Sequence, residues 1–283
     1  MISAYCITQK QHGFSLQKVF ESDELYSLDQ ASRLIPDGVY TTFRTFDKLK
    51  VLDLDGHFDR LEESARILGR EIVLNREVLR RNLRELLKNF PGNEARVRIH
   101  VPLATNEFKE IVIYIFLENL VVPALQDYQE GVRVITVRMH RENPFAKSTD
   151  FIRTADQIRQ NLPAGVNEAI MVDENGRILE GLSSNFFAIK KGVVYTDDQH
   201  VLAGITRKQV IEIIRELGIP ICWEGFLYSE INHLDEAFIT STSRGVLPVR
   251  QIDHQVIGKG TVGEITKLIM ERYDRKVRFA ARS

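Results

Sequence analysis

Between Ile111 and Ile189 the chain carries many arginines but one lysine, Lys147, placed just after Pro144-Phe145-Ala146 where a strand should give way to a helix. A primary amine can form a Schiff base with a carbonyl compound and can also shuttle a proton. Taken alone, a lysine in this place is more often a solvated loop residue. Two further segments hold parts for the same chemistry. Glu180-Gly181-Leu182-Ser183-Ser184-Asn185-Phe186-Phe187 begins where a strand ends and turns back, and it brings a carboxylate. Ala203-Gly204-Ile205-Thr206-Arg207 opens a helix whose amides can hold a phosphate. A lysine, a carboxylate and phosphate anchors are what a protein contributes when a cofactor supplies the reactivity.

Other chemistries lack their residues. Gly258-Lys259-Gly260-Thr261-Val262-Gly263 matches a dinucleotide-binding glycine pattern before a helix, but the sequence stops at Ser283, too soon for the second parallel strand that such a unit needs. The histidines at 12, 57, 100, 140, 200, 233 and 254 show no metal-ligand spacing, so no metal site is expected. There is no GxSxG elbow, and Cys6 and Cys222 have no catalytic signature around them. Lysine plus arginine total 38 against 39 for aspartate plus glutamate, a net charge of -1 that gives a nucleic acid nothing to bind. The apolar run Ile111 to Leu117 is far short of the ~20 residues of a membrane helix. With no leader pattern in Met1 to Gly13 and no disulfide framework, a cytoplasmic protein is expected.

The elements that must position these residues alternate in type. Val39 to Phe46 reads as a strand; Phe58, Leu61, Ala65 and Leu68 recur at helical spacing until Gly69. A second amphipathic helix should start at an Asn75 cap and bury Val78, Leu79, Leu83, Leu86 and Leu87. Arg96 to Val101 and Glu110 to Leu117 read as paired strands across a polar loop containing Asn106. Leu120 to Gly131 is the candidate interdomain connection. Beyond it, Val132 to Val137, Glu168 to Val172, Arg177 to Leu179, Asn185 to Ile189 and Val193 to Thr196 read as short strands, and Thr206 as the N-cap of a helix ending at Gly218. The expected architecture is α+β: a small α/β domain over residues 1–120, a linker over 121–131, and a β-barrel-like domain over 132–283.

His57-Phe58-Asp59-Arg60-Leu61 with Ser64, the single Lys147, Asn167-Glu168-Ala169, Glu180-Gly181 with Ser184-Asn185-Phe186, Gly204-Ile205-Thr206-Arg207, Asp235-Glu236, and Ser241-Thr242 before Pro248-Val249 form an ordered series. In order and spacing it resembles the class IV aminotransferases that use pyridoxal 5'-phosphate. The resemblance runs from about Asp37 to Gly263. That family includes branched-chain and D-amino acid aminotransferases, R-selective amine transaminases and 4-amino-4-deoxychorismate lyase. It implies a fold type IV enzyme, a homodimer with the cofactor between its two domains.

By the same resemblance, Lys147 is the Schiff-base lysine and the proton carrier, and Glu180 meets the pyridine nitrogen. Arg60 contacts the cofactor phosphate, Gly204, Ile205 and Thr206 cradle it, and Ser241 and Thr242 add to the opposite wall. Tyr40 lines the substrate side, with Arg98, in Arg98-Ile99-His100, and Arg244 as candidates for a substrate carboxylate. Read without the family, Arg60 could form a surface pair with Glu63, Tyr40 could be core, and Arg244 could be an exposed turn residue. The chain also departs from the pattern: Thr41-Thr42 stands where many relatives carry glutamate, and Val101-Pro102-Leu103 where they carry Thr-Arg-Gly. The implied activity is transamination between a branched-chain L- or D-amino acid and a 2-oxo acid such as 2-oxoglutarate. The alternative is the lyase, which releases pyruvate and 4-aminobenzoate. A cofactor-free scaffold is disfavoured, because a buried amine and carboxylate without a ligand only cost desolvation.

Overall fold

The computed structural model describes residues 1–10, 13–103 and 111–280. Its described residues divide into two compact units, one from Met1–Val121 with Ala146–Thr154, the other from Val122–Phe145 with Ala155 onward. The first unit opens with a hairpin, β1 (Ile2–Lys10) and β2 (Gly13–Ser22), followed by a short helix α1 (Leu28–Ser32). Next come β3 (Gly38–Arg44), α2 (Leu54–Ile67), α3 (Arg76–Asn89), β4 (Ala95–Pro102) and β5 (Val112–Asn119). The five strands form one antiparallel sheet in the order β2-β1-β5-β4-β3. The polar loop around Asn106, the expected strand start at Glu110, and His12 lie outside the described residues.

The helices form where the sequence predicts. Asn75 Oδ1 accepts from the Val78 amide at 3.1 Å and starts α3, which buries Val78, Leu79, Leu83, Leu86 and Leu87. α2 turns Phe58, Leu61 and Ala65 inward, into the same core as Phe43 of β3 and Val97 and Ile99 of β4. Each such side chain contributes about 1.5–3 kcal/mol of apolar burial. Gly38 is fixed by crowding, since a Cβ there would overlap the Val101 carbonyl across the β3–β4 pair.

The second unit holds α4 (Leu125–Glu130), β6 (Val132–Arg138), β7 (Val166–Val172), β8 (Arg177–Gly181), β9 (Asn185–Lys190) and β10 (Val193–Tyr195). A helix α5 (Asp150–Gln160) lies between β6 and β7 in sequence. After β10 follow α6 (Ile205–Glu216), β11 (Ile221–Cys222), β12 (Phe226–Leu227), a 3-10 turn (Tyr228–His233), β13 (Glu236–Ser241), β14 (Gly245–Ile252), β15 (Gln255–Val256) and α7 (Glu264–Ala280). Six strands, β9-β13-β14-β6-β7-β8, close on themselves because β8 also pairs with β9 through Glu180 opposite Asn185. This closed sheet is the barrel-like body expected of the second domain. One boundary is corrected: α6 is capped by Gly204, and Thr206 is a buried residue inside its first turn. No helix among the described residues is long and apolar enough to cross a membrane.

Candidate active site

In the first unit the backbone of Lys147 is stitched to two elements. Its carbonyl accepts from the Tyr40 amide at 2.9 Å, and its own amide donates to Ser64 Oγ of α2 at 3.1 Å. Ser148 bridges to Val39, and Thr149 bonds to Gly38 through both backbone and hydroxyl, so the segment runs as an extra partner of β3. The Lys147 Nζ consequently lies 4.9 Å from the centre of the Tyr40 ring, and Tyr40 is buried. Lys147, Tyr40 and Arg60 are thus gathered by β3 and α2. Arg60 points inward: its Nη2 donates to Thr41 Oγ1 at 2.6 Å, whereas Glu63 is held by Arg66.

His57 completes this cluster, with Nδ1 2.7 Å from Thr41 Oγ1 and its ring 5.0 Å from that of Phe43. Burial first, then the charges of Arg60 and Lys147, hold its imidazole well below the usual histidine range, so it is neutral. The motif containing His57 is visible in the sequence. Its bond to Thr41 depends on β3 lying beside α2.

Arg98 is engaged within the first unit. Its guanidinium donates to Thr42 Oγ1, to the Leu28 carbonyl and Ser32 Oγ of α1, and to Asp29 at 2.6 Å, and it is 2% exposed. These bonds tie α1 to the sheet and leave little to offer a substrate. Its Arg-x-His partner, His100, is fully buried; burial, then the Arg98 charge, lowers its pKa to about 4. A neutral buried imidazole is no carboxylate clamp.

In the second unit Glu180 sits at the strand pair that closes the barrel. Its Oε2 accepts from Asn185 Nδ2 at 3.0 Å and from the Leu202 amide at 3.2 Å, and its Oε1 lies 2.9 Å from Arg141 Nε. Asn185 Nδ2 also donates to the Leu202 carbonyl at 2.8 Å, two residues before Gly204. Asn185 therefore couples Glu180 to the start of α6. A Cβ at Gly204 would overlap Asn185 Oδ1, so only glycine fits that approach. Arg141 carries no signal in the sequence, since nothing local marks a residue 39 positions before its carboxylate as a partner.

The N-terminus of α6 has the features of an anion site. No side chain caps it, its first turn holds no acidic residue, and the buried Thr206 Oγ1 has no hydrogen-bond partner among the described residues. The first amides of a helix lack internal acceptors and carry the positive end of its dipole. Thr242 lies half-buried in the turn joining β13 to β14. Ser241 faces a different task, accepting from Arg244 Nε at 3.0 Å.

Arg244 is likewise engaged by its own chain. Nη2 meets Glu168 Oε2 at 2.8 Å and Ser183 Oγ at 2.8 Å, and Nη1 donates to Asn167 Oδ1 at 3.1 Å. Burial by itself would raise the Glu168 pKa; the Arg244 charge, the Ser183 and Arg244 hydrogen bonds and Arg159 outweigh it, so the carboxyl titrates below the usual glutamate range. Arg244 is a clamp on the Ser183 turn, already engaged by a carboxylate of its own chain. At α7, the glycine-rich motif leads to a helix whose Ile265 and Thr266 amides donate to Glu236, at 3.1 and 2.7 Å. Among the described residues, no group of three or more His, Cys, Asp or Glu could hold a metal.

Comparison with known proteins gives the class. Residues 38–252 match the family model for amino-transferase class IV, which spans the Lys147 segment, Glu180 and the start of α6. The chain is 33% identical over 267 residues, 90% of its length and 92% of the other, to a Methanocaldococcus jannaschii protein provisionally named a branched-chain-amino-acid aminotransferase. It is 29% identical to a Bacillus licheniformis D-alanine aminotransferase, covering 82% of this chain and 84% of that one. Its fold matches the T.th. branched-chain amino acid aminotransferase solved with pyridoxamine 5'-phosphate, with a TM-score of 0.78, 25% identity, and coverage of 98% and 95%. The chain belongs to the class IV aminotransferases, and it is an enzyme.

Proposed function

We propose that this chain is a pyridoxal-phosphate transaminase that moves an amino group between a branched-chain L-amino acid or a D-amino acid and a 2-oxo acid such as 2-oxoglutarate. The observation that carries the cofactor reading is the start of α6: a helix end with no side-chain cap and a buried threonine hydroxyl without a partner among the described residues, which a phosphate would fill. When bound, the cofactor supplies the electron sink that makes a substrate Cα proton removable. The rest is this chain's own work.

Lys147 would hold the cofactor through its amine, and that amine is the group that would move the proton at the substrate Cα. The Tyr40 ring beside its Nζ restricts the side chain and lines the substrate side. Arg60 offers a guanidinium to the phosphate, while Gly204, Ile205, Thr206 and Thr242 offer amides and hydroxyls; Ser241 supports that wall through Arg244. Glu180, oriented by Asn185, Leu202 and Arg141, is the acceptor for the ring nitrogen. The names of the relatives support both donor classes, and the family implies a homodimer. The working unit is taken as a cytoplasmic homodimer with small-molecule partners only.

Borohydride reduction followed by peptide mapping tests the site: label is expected on Lys147 and absent from Lys147→Ala, and label on another lysine would refute it. Stoichiometric conversion to the pyridoxamine form by an L- or D-amino acid, reversed by 2-oxoglutarate, tests the reaction. If no amino acid of either hand converts it, while 4-amino-4-deoxychorismate yields pyruvate and 4-aminobenzoate, lyase activity replaces transamination.

A further inference from the structure

Thr41, His57 and Arg60 make a short hydrogen-bonded chain whose direction is set by which imidazole nitrogen carries the proton. Arg60 has only protons to give, so Thr41 Oγ1 accepts from its Nη2 at 2.6 Å. A hydroxyl has one proton to give, and the neighbour 2.7 Å away is His57 Nδ1, which also lies 3.4 Å from Arg60 Nη2 and so faces a group that can only donate. For Thr41 to donate there, Nδ1 must be bare, which leaves the single proton of a neutral imidazole on Nε2. Both Thr41 and His57 are essentially sealed from solvent, at 0% and 1% exposure, so water does not compete for these bonds. Arg60 follows His57 by three residues and shares its helix face, so one turn of α2 presents both to the same threonine.

We propose that Thr41 and His57 are positioning residues that fix the Arg60 guanidinium through a one-way chain, from Arg60 N–H to Thr41 O–H to His57 Nδ1, and so prepare it for the cofactor phosphate. This rests on the reading of Arg60 as a phosphate anchor. Spending one N–H of the fork on Thr41 sets the plane of the guanidinium, so less rotamer freedom is lost when an anion arrives. Neutral His57 is required, because a proton on Nδ1 would remove the terminal acceptor and face the hydroxyl with a second donor. The threonine at position 41 lets this happen: it can accept and donate at once, whereas a carboxylate there would only accept.

The test uses the holoenzyme, reading the pyridoxal phosphate dissociation constant from visible absorption on dilution and the His57 tautomer from ring nitrogen NMR. Thr41→Val should weaken cofactor affinity by about tenfold, the worth of an oriented bond to a charged group. Thr41→Ser should restore it, which a loss of packing alone would not allow. His57 should show the Nε2–H tautomer in the wild type and lose that preference in Thr41→Val. If Thr41→Val does not fold, Thr41→Ala and the wild-type tautomer decide the matter. Unchanged affinity in the threonine variants, or a proton on Nδ1, overturns the chain while the phosphate reading stands, provided Arg60→Ala still weakens binding. Unchanged affinity in Arg60→Ala overturns both.

Discussion

Two helices of the second unit start after glycine-bearing turns, and they treat the positive ends of their dipoles in opposite ways. α7 follows Gly258-Lys259-Gly260-Thr261-Val262-Gly263, and its first amides are taken by the Glu236 carboxylate. A Cβ at Gly263 would overlap that carboxylate, so the glycine serves an internal contact. α6 follows Gly204, has no capping side chain, and buries the Thr206 hydroxyl without a partner among the described residues. The difference teaches that a glycine motif shows only that backbone comes close to something. What decides a ligand role is whether the chain supplies its own anion. The same division runs through the arginines, since Arg244 is met by Glu168 and Arg98 by Asp29.

The comparison is broken most severely by removing an internal partner. Arg244→Ala leaves the buried Glu168 with the Ser183 and Ser184 hydroxyls but without its ion pair, and should destabilise the fold by about 3 kcal/mol in denaturant unfolding. Because the folded carboxyl titrates below its unfolded value, its stabilisation is full above the ordinary glutamate range and is lost as pH falls through the folded value. The wild type should thus lose an acid-sensitive part of its stability that Arg244→Ala has already lost. Equal acid sensitivity in both proteins would remove the pair from the account.

Giving α6 the arrangement of α7 is the next test. Thr206→Glu places a carboxylate at the anion site, and should weaken pyridoxal phosphate binding by about a hundredfold through charge repulsion and occupied amides. Pyridoxal lacking the phosphate should be affected far less; equal losses for both would count against a phosphate at α6. Glu236→Ala does the reverse to α7, costing about 1 kcal/mol of stability in thermal unfolding as the cap is lost, with cofactor affinity unmoved. A cofactor effect there would blur the distinction between the two helix ends. The mildest change is Thr206→Val, which removes only the hydroxyl and should cost about fivefold in cofactor affinity. No change would leave the amides as the whole cradle.

Much of this was legible from local signals. The five buried positions and the Asn75 cap of α3 follow from helical period and capping chemistry, and β6 to β9 follow from their short apolar runs and turn residues, whereas β13 and β14 are not read as strands from the sequence. β1 is harder to read, because a register shift at Ala4/Tyr5 breaks its two-residue alternation. β14 is masked by Pro248, a residue that argues against a strand paired on both sides. The ladder tolerates it because pairing with β6 begins only at Val249. The lysine and the α6 turn are local signals, whereas the partners that orient them are not. Thr41 lies 16 residues from His57, and Glu168 lies 76 from Arg244, so these contacts exist only once strands have paired.

The barrel closes through a single residue pair, Glu180 with Asn185, and that pair also holds the carboxylate assigned to the ring nitrogen. This double duty constrains how the enzyme can diversify. With Glu180 in the role proposed for it, a substitution at the seam changes the architecture and the cofactor's electronics together. Tyr40 belongs to a separate sheet, and its ring takes no part in closing the barrel. Innovation in substrate choice is therefore cheapest in the first unit, while the seam keeps the inherited chemistry intact.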